Sequence, residues 1–525
     1  MSVNKRPKIK NLQKAIKAWI LIVSESRVIT DLEKLQSVNT ATFKTVQKVH
    51  AIVKPVNSRE VSEVVKVAFK NSIPIYPVSG GKNWGLGSKV PQRDGVLLDL
   101  SLMDKVLDFN ESMAYMTVQP GVTFGDGVEY LARKKSSLML DTIGSTPEAS
   151  IVGNTAERGH GMALYADRFN YVCGLEVVLP NGEIIETGFE NYEDSKLGPL
   201  AKWGLGPYID GLFTQSNLGI ITKLTLWLRP QSQHFQSFIF NIDKEKDLTL
   251  LFEEWRKMVL EGFNASLRIF NDVRMISFGE RMPDVSKPLT EKGLVELRTK
   301  HNVGKWIGMG ATYPISELHR EADKAFIISR VGGLVDNISF YDQKMVDEQY
   351  KKGDDATKAR LDFLFNKSLL RGNVSKAGIG MLYWRKPKKI EIRDIHQDRC
   401  GVLWYCPTVP FTGKDVIKAI TISKQISKKR GFELNIGFLF ISQRALDITG
   451  AICYDRDVPG EDERAMECHN EIMDAMVKLG YSPYRLGIQS MKLMSNKTAG
   501  SKKLLKVLKE AIDTKHILAP GHYIN

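Results

Sequence analysis

The apolar positions of this 525-residue chain change period repeatedly. "VHAIVKP" (49–55) is a short apolar run that predicts a strand. In "NSREVSEVVKVAFKNS" (57–72) Val61, Val64, Val65 and Ala68 fall on one helical face, with Asn57 or Ser58 as cap. "IPIYPV" (73–78) predicts the next strand, so this part opens as a β-α-β unit. "GVLLDL" (95–100) is another strand. "MAYMTVQPGVTFGDGVEYLARKKS" (113–136) reads as strand, Pro-Gly turn and helix. "YVCGLEVVLPNGEIIETG" (171–188) reads as a hairpin turning at Asn181-Gly182. "GIITKLTLWLRP" (219–230) is a strand ended by Pro230. Beyond it the grammar changes: longer helices such as "DVIKAITISKQISKKRG" alternate with strands such as "NIGFLFIS" to about residue 480. A domain boundary is therefore expected near residue 230. A last helix, "SKKLLKVLKEAID", leads into a Pro-Gly segment.

Composition narrows the class. A 43% hydrophobic content is ordinary for a globular protein. The apolar stretch nearest the start, "AWILIV", is far below the ~18–20 residues of a membrane span. No small-residue cleavage site follows it, so no secretory leader and a cytoplasmic location are expected. Five cysteines, Cys173, Cys400, Cys406, Cys453 and Cys468, show no CxxC spacing, which predicts reduced thiols and no metal site. The formal charge of +14 raises nucleic-acid binding as a reading. The charges are scattered among apolar periodic segments, however, and no aromatic-basic module appears. A solvated lysine-rich surface is the expectation, without a nucleic-acid or membrane partner.

Directly after the strand at 73–78 comes "SGGKNWGLGS", with Gly80, Gly81, Gly85 and Gly87. Bare backbone can curl its N–H groups around an anion, or can simply make a tight loop. A dinucleotide fingerprint would need glycine at Val90, and a P-loop would need it at Tyr76. Any phosphate site here is of another kind.

Two more glycine-bearing stretches, "STPEASIVGNTAERGHGMALYADRF" (145–169) and "WGLGPYIDGLFTQSNLGIITK" (203–223), would suit a long cofactor threaded through several loops. With "PGVTFGD", "GLEVVLPNGE", "YDR", "YR" and the late "ILAPG", they follow an order and spacing that resemble the 4-cresol dehydrogenase and vanillyl-alcohol oxidase flavoproteins over most of the chain. The resemblance implies an α+β fold: an FAD-binding domain split between 1–230 and 481–525, with an α+β cap domain, 231–480, between them. It implies that backbone N–H groups of Gly80, Gly81, Lys82, Asn83 and Gly85 hold the FAD pyrophosphate. Val78, Ser79, Leu86, Ser150, Ile151, Gly153, Asn154, Gly219 and Ile221 would also contact the cofactor, with His522 near the flavin pyrimidine ring.

The chemistry implied is hydride loss from the carbon beside the ring of a para-substituted phenol, bound as phenolate, to flavin N5. Tyr484 and Arg485 stand at the family's Tyr-Arg phenolate pair, where an opposite charge lowers a phenol's pKa from ~10. Asp167 stands at the place of an acidic residue near N5, and Trp404 at that of an aromatic beside the flavin. Leu86 replaces a second phenol-binding Tyr. Phe438 and Asp447 stand at two positions of the cresol enzymes' acidic cap cluster, and Phe438 is expected in the substrate pocket with Leu86 and Trp404. The positions of the family's covalent FAD links carry Val402 and a site near Asp394, so noncovalent FAD is expected. His396 and Cys400 are the nearest alternatives. Leu86 makes the phenol end more apolar, which keeps open a non-phenolic alcohol as substrate, or a flavin-binding protein that has lost catalysis. The electron acceptor is oxygen or an electron-transfer protein, and a homodimer is the default expectation.

Overall fold

The computed structural model describes residues 9–524 apart from 288 and 497. Its strands form three main sheets and one short ribbon. The first sheet contains β1 (Val28–Ile29), β2 (Val49–Val53), β3 (Ile75–Val78) and β4 (Gly95–Asp99), in the order β1-β2-β4-β3. β4 inserts between the two strands of the expected β-α-β unit and runs parallel to both. It can do so because every residue of β4 is buried, as a strand covered on both faces must be. The crossover helix Ser58–Asn71 is capped by Asn57, whose side chain accepts from the Glu60 N–H. It ends at Ser72 in the left-handed conformation. Its apolar face meets helix Ile9–Val23, where Trp19 Nε1 donates to the Val64 carbonyl at 3.0 Å.

The second sheet is antiparallel. β5 (Val106–Asn110), β6 (Tyr115–Val118), β8 (Val172–Val178), β9 (Ile184–Glu186) and β10 (Ile220–Trp227) lie in the order β5-β6-β10-β8-β9. β7 (Leu138–Met139) pairs with β11 (Arg229–Pro230) as a two-stranded ribbon.

The third sheet has eight strands drawn from residues 236–455: β12 (Gln236–Ile242), β13 (Ala265–Asn271), β14 (Trp306–Thr312), β15 (Asn337–Tyr341), β16 (Cys400–Tyr405), β17 (Thr408–Pro410), β18 (Ile436–Leu439) and β19 (Ala445–Asp455). Seven follow the order β15-β12-β14-β13-β18-β19-β16, and β17 pairs with β19. Helices Glu245–Leu260, Gly413–Lys429 and Glu461–Lys478 pack on one face. Alternation sends Leu267, Ile269, Leu403, Phe438 and Ile448 into that packed core. Their neighbours Arg268, Phe270, Leu439, Thr449 and Trp404 point to the opposite face, onto a cavity.

The chain then returns to its first sheet. Ile75 donates its N–H to the Ile517 carbonyl, and Ala519 donates to the Ile75 carbonyl, each at 2.8 Å. Buried Lys509 ties the return down through the carbonyls of Asn217 and Leu518 and the Asp513 carboxylate.

Candidate active site

A cavity of about 830 Å³ lies between the glycine loop, the 143–161 and 213–221 segments, the exposed face of the third sheet and the returning 518–522 segment. Val78, Ser79, Gly80, Gly81, Lys82, Asn83 and Leu86 line it, as do Ser150, Gly153, Asn154, Gly219, Ile221 and His522. Trp404, Tyr484 and Arg485 join them.

The loop leaves backbone donors open. Gly81 and Gly85 have φ of 66° and 74°, in the region that favours glycine. The N–H groups of Gly80, Gly81, Lys82 and Asn83 have no acceptor among the described residues. Four adjacent backbone donors left open toward a cavity fit a pyrophosphate. Gly85 does not serve as expected. Its N–H donates to Thr42 Oγ1 at 2.8 Å, and its carbonyl accepts from Gln489 Nε2 at 3.0 Å. Its need for glycine comes from Trp404, which a Cβ at that position would strike.

Tyr484 and Arg485 form one end of the site. Burial pushes the Tyr484 phenol well above its ordinary pKa, so it is a neutral donor there. Gln215 Nε2 fixes the backbone by donating to the Tyr484 carbonyl at 2.7 Å. Arg485 Nη2 donates to Asn83 Oδ1 at 3.1 Å, which couples this pair to the glycine loop. Arg485 Nε is buried and has no acceptor among the described residues.

His160 was not foreseen as a site residue. It lines the cavity, its ring centroid 4.6 Å from that of Tyr484. Its Nε2 lies 2.6 Å from Asp447 Oδ2, and Asp447 also accepts from Thr408 Oγ1. His160 Nδ1 is buried and unpartnered among the described residues. His522 Nε2 lies 2.9 Å from Glu157 Oε1, and Tyr523 Oη donates to Glu157 Oε2 at 3.1 Å. Burial opposes ionisation of Glu157, but adjacent His522, followed by Arg485 and Tyr523, holds the carboxyl below its ordinary value.

Three further expectations differ from the structure. Asp167 does not line the cavity: it heads the turn Arg168–Tyr171 and accepts from Asn170 Nδ2. The next residue, Arg168, takes the inward position, donating to Asn154 Oδ1 and to the carbonyls of Gly159 and Asp141. Phe438 lies on the helix-covered face of β18, against Phe252 and Trp306, and not in the pocket. Ile151 sits beside the cavity with its side chain in the core of the second sheet.

Two arginines complete the wall. Arg268, on β13, donates from Nη1 to the Leu267 carbonyl at 2.7 Å and from Nη2 to the Gly161 carbonyl at 2.6 Å. Arg274 lies over the Trp404 ring at 5.1 Å and donates to Asn435 and to the Thr449 carbonyl. The sequence did carry a signal for Arg268: it is the one charge in the strand "ASLRIFN", set between Leu267 and Ile269.

A family model described as an FAD binding domain matches residues 49–188. The chain is 37% identical over 525 residues to a 1'-carboxy-chondrochloren decarboxylase from Chondromyces crocatus, covering 98% of this chain and 97% of the relative. It is 28% identical over 517 residues to the flavoprotein subunit of the hydroxylating 4-cresol dehydrogenase of Pseudomonas putida, covering 97% and 94%. Among solved structures, substrate-bound p-cresol methylhydroxylase superposes with a TM-score of 0.88 at 27% identity, covering 99% of this chain and 98% of that one. A 4-ethylphenol oxidase from Gulosibacter chungangensis shares the fold, with a TM-score of 0.88 at 24% identity over 100% and 99% of the two chains.

Proposed function

Because the chain belongs to the 4-cresol dehydrogenase and vanillyl-alcohol oxidase family of FAD-dependent oxidoreductases, we propose that it oxidises a para-substituted phenol or aryl alcohol at the carbon beside the ring. The observation that carries this reading is the junction of Tyr484, Arg485 and Asn83 in one cavity with the glycine loop. FAD, when bound, supplies the two-electron acceptor at flavin N5. The open N–H groups of Gly80 to Asn83 would hold its pyrophosphate. We take it as noncovalent: Val402, His396 and Cys400 do not line the cavity. The cofactor part would be 1–230 with 481–525, and the substrate part 231–480.

The chain's own residues would then act on protons and charge. Arg485 Nε and the Tyr484 hydroxyl point to a phenol oxygen, whose ionisation a nearby guanidinium favours. His160 Nε2 is engaged by the Asp447 carboxylate at 2.6 Å, which leaves Nδ1 as the ring nitrogen available beside Tyr484. Asp167, outside the cavity, is given no part.

The test is anaerobic flavin reduction with 4-alkylphenols beside benzylic and aliphatic alcohols. Reduction by the phenols supports the reading. Inert phenols beside a reactive alcohol that lacks the ring hydroxyl would replace it with non-phenolic alcohol oxidation.

A second reading is oxidative decarboxylation, favoured by the decarboxylase that is 37% identical. After the benzylic carbon gives up a hydride, a carboxylate on the next carbon can leave as CO2. The electron pair of the broken C–C bond becomes the side-chain double bond, and the ring returns to phenolate. This reading predicts CO2 release in step with flavin reduction.

A further inference from the structure

Arg268 is 1% exposed and Arg274 4% exposed, and both line the cavity. A buried charge is costly unless it is paired. Yet neither guanidinium forms an ion pair with a carboxylate among the described residues. Every acceptor they have is neutral: the carbonyls of Leu267, Gly161, Asn435 and Thr449, and the Asn435 side chain. Donors are left over. Arg268 Nε is buried without an acceptor among the described residues, and the hydrogen bonds of Arg274 there run through Nε and Nη2, none through Nη1. Burial pushes both side chains down to about 10, so both are still cations at neutral pH.

The anions already assigned do not use them. The pyrophosphate has the loop 80–83, and a phenolate has Tyr484 and Arg485. Arg268 and Arg274 belong instead to the third sheet and the short helix Asp272–Ser277 that follows β13. Arg268 stands in register with Leu439 and Met309, and Arg274 covers Trp404. Leu439, Met309 and Trp404 all line the cavity.

We propose that Arg268 and Arg274 form an anion subsite of this cavity that takes a carboxylate carried on the side chain of the substrate. A carboxylate suits the donors left over, Nε of Arg268 and Nη1 of Arg274, because hydrogen bonds between ionised groups are the strong ones. The proposal rests on the phenol reading for the rest of the substrate, and it narrows that substrate to a phenol bearing an acidic side chain.

Four ligands separate the two readings: 3-(4-hydroxyphenyl)propanoate, 3-phenylpropanoate and the primary amide of each. Their dissociation constants are measured by calorimetry on the flavin-loaded protein, held reduced and anaerobic so that nothing turns over. Each acid is expected to bind about ten- to hundredfold tighter than its amide. Arg268→Gln and Arg274→Gln are each expected to bring that ratio toward one. Acids and amides that bind alike in the unaltered protein overturn the proposal, as does a preference that survives both substitutions. Should a glutamine variant not fold, Arg274→Lys keeps a charge but not an Nη1 donor held in place by bonds to Asn435 and Thr449; it is expected to weaken the acids about fivefold and leave the amides nearly unchanged. Equal loss for acids and amides would overturn the assignment to Arg274. The hydroxyl effect is read separately from the same data. If adding the ring hydroxyl changes nothing while the acid preference stands, the phenol reading fails and the carboxylate subsite remains.

Discussion

Arg485 joins residues 402 positions apart in sequence through its 3.1 Å bond to Asn83, and its buried Nε has no acceptor among the described residues. A lysine would keep the charge and lose this division of labour. Arg485→Lys is expected to cost about 2–3 kcal/mol of transition-state stabilisation, as for loss of one preorganised donor at a developing charge. Stopped-flow flavin reduction is the measurement, and the flavin content of the variant should match that of the unaltered protein. Tyr484 and Arg485 were legible in the sequence because they are adjacent and carry their motif with them. Asp167 and Arg168 are adjacent too, but a tight turn decides which of the two faces inward, and the sequence pattern does not. His160 and Asp447 could not be paired from the sequence, since 287 positions separate them.

At the scale of elements, strand parity explains both a success and a miss. Alternation along β19 sends Leu446 and Ile448 to the core and Thr449 to the cavity, as an apolar pattern suggests. On β18 the same rule takes Phe438 out of the pocket, which motif position alone did not reveal. The glycine loop was legible as bare backbone after a strand, but the engagement of Gly85 by Thr42 and Gln489 was not. Gly81→Val is expected to abolish flavin binding, because φ of 66° disfavours a branched side chain and the new Cβ would crowd Lys89 beside the open N–H groups. The flavin-to-protein absorbance ratio checks this, with circular dichroism showing that the chain still folds. The loop before β16 offers an acid-stability test. Burial opposes the charge on Asp398, but the Tyr383 hydroxyl, the Arg393 and Asp394 N–H groups and the Arg393 guanidinium hold its carboxyl at about 2. A depressed carboxyl stabilises the fold above its unfolded pKa, and that share is lost as pH falls through the folded value. Asp398→Asn should therefore cost about 2 kcal/mol at pH 7. In urea titrations the gap to the unaltered protein should close between roughly pH 4 and pH 2.

For the molecule as a whole, the noncovalent assignment predicts that acid precipitation leaves the yellow colour in the supernatant. Flavin kept in the pellet would mean that a cavity side chain such as His160 or Cys406 carries it. The individual strands and helices were legible because periods of two and of about 3.6 are local properties, while the α+β class came with the family resemblance. The insertion of β4 between β2 and β3, and the closure of the first sheet by residues 517–519, were not, since both depend on distant segments. That closure also bears on how the protein is made. Tyr76 Oη donates to the Pro520 carbonyl across 444 positions. At ordinary rates of translation, roughly 20–90 s pass between synthesis of the glycine loop and synthesis of the segment that closes over it. The nascent loop waits through that interval with its wall missing, so cofactor capture is expected to follow synthesis of residues 517–520 and not to precede it.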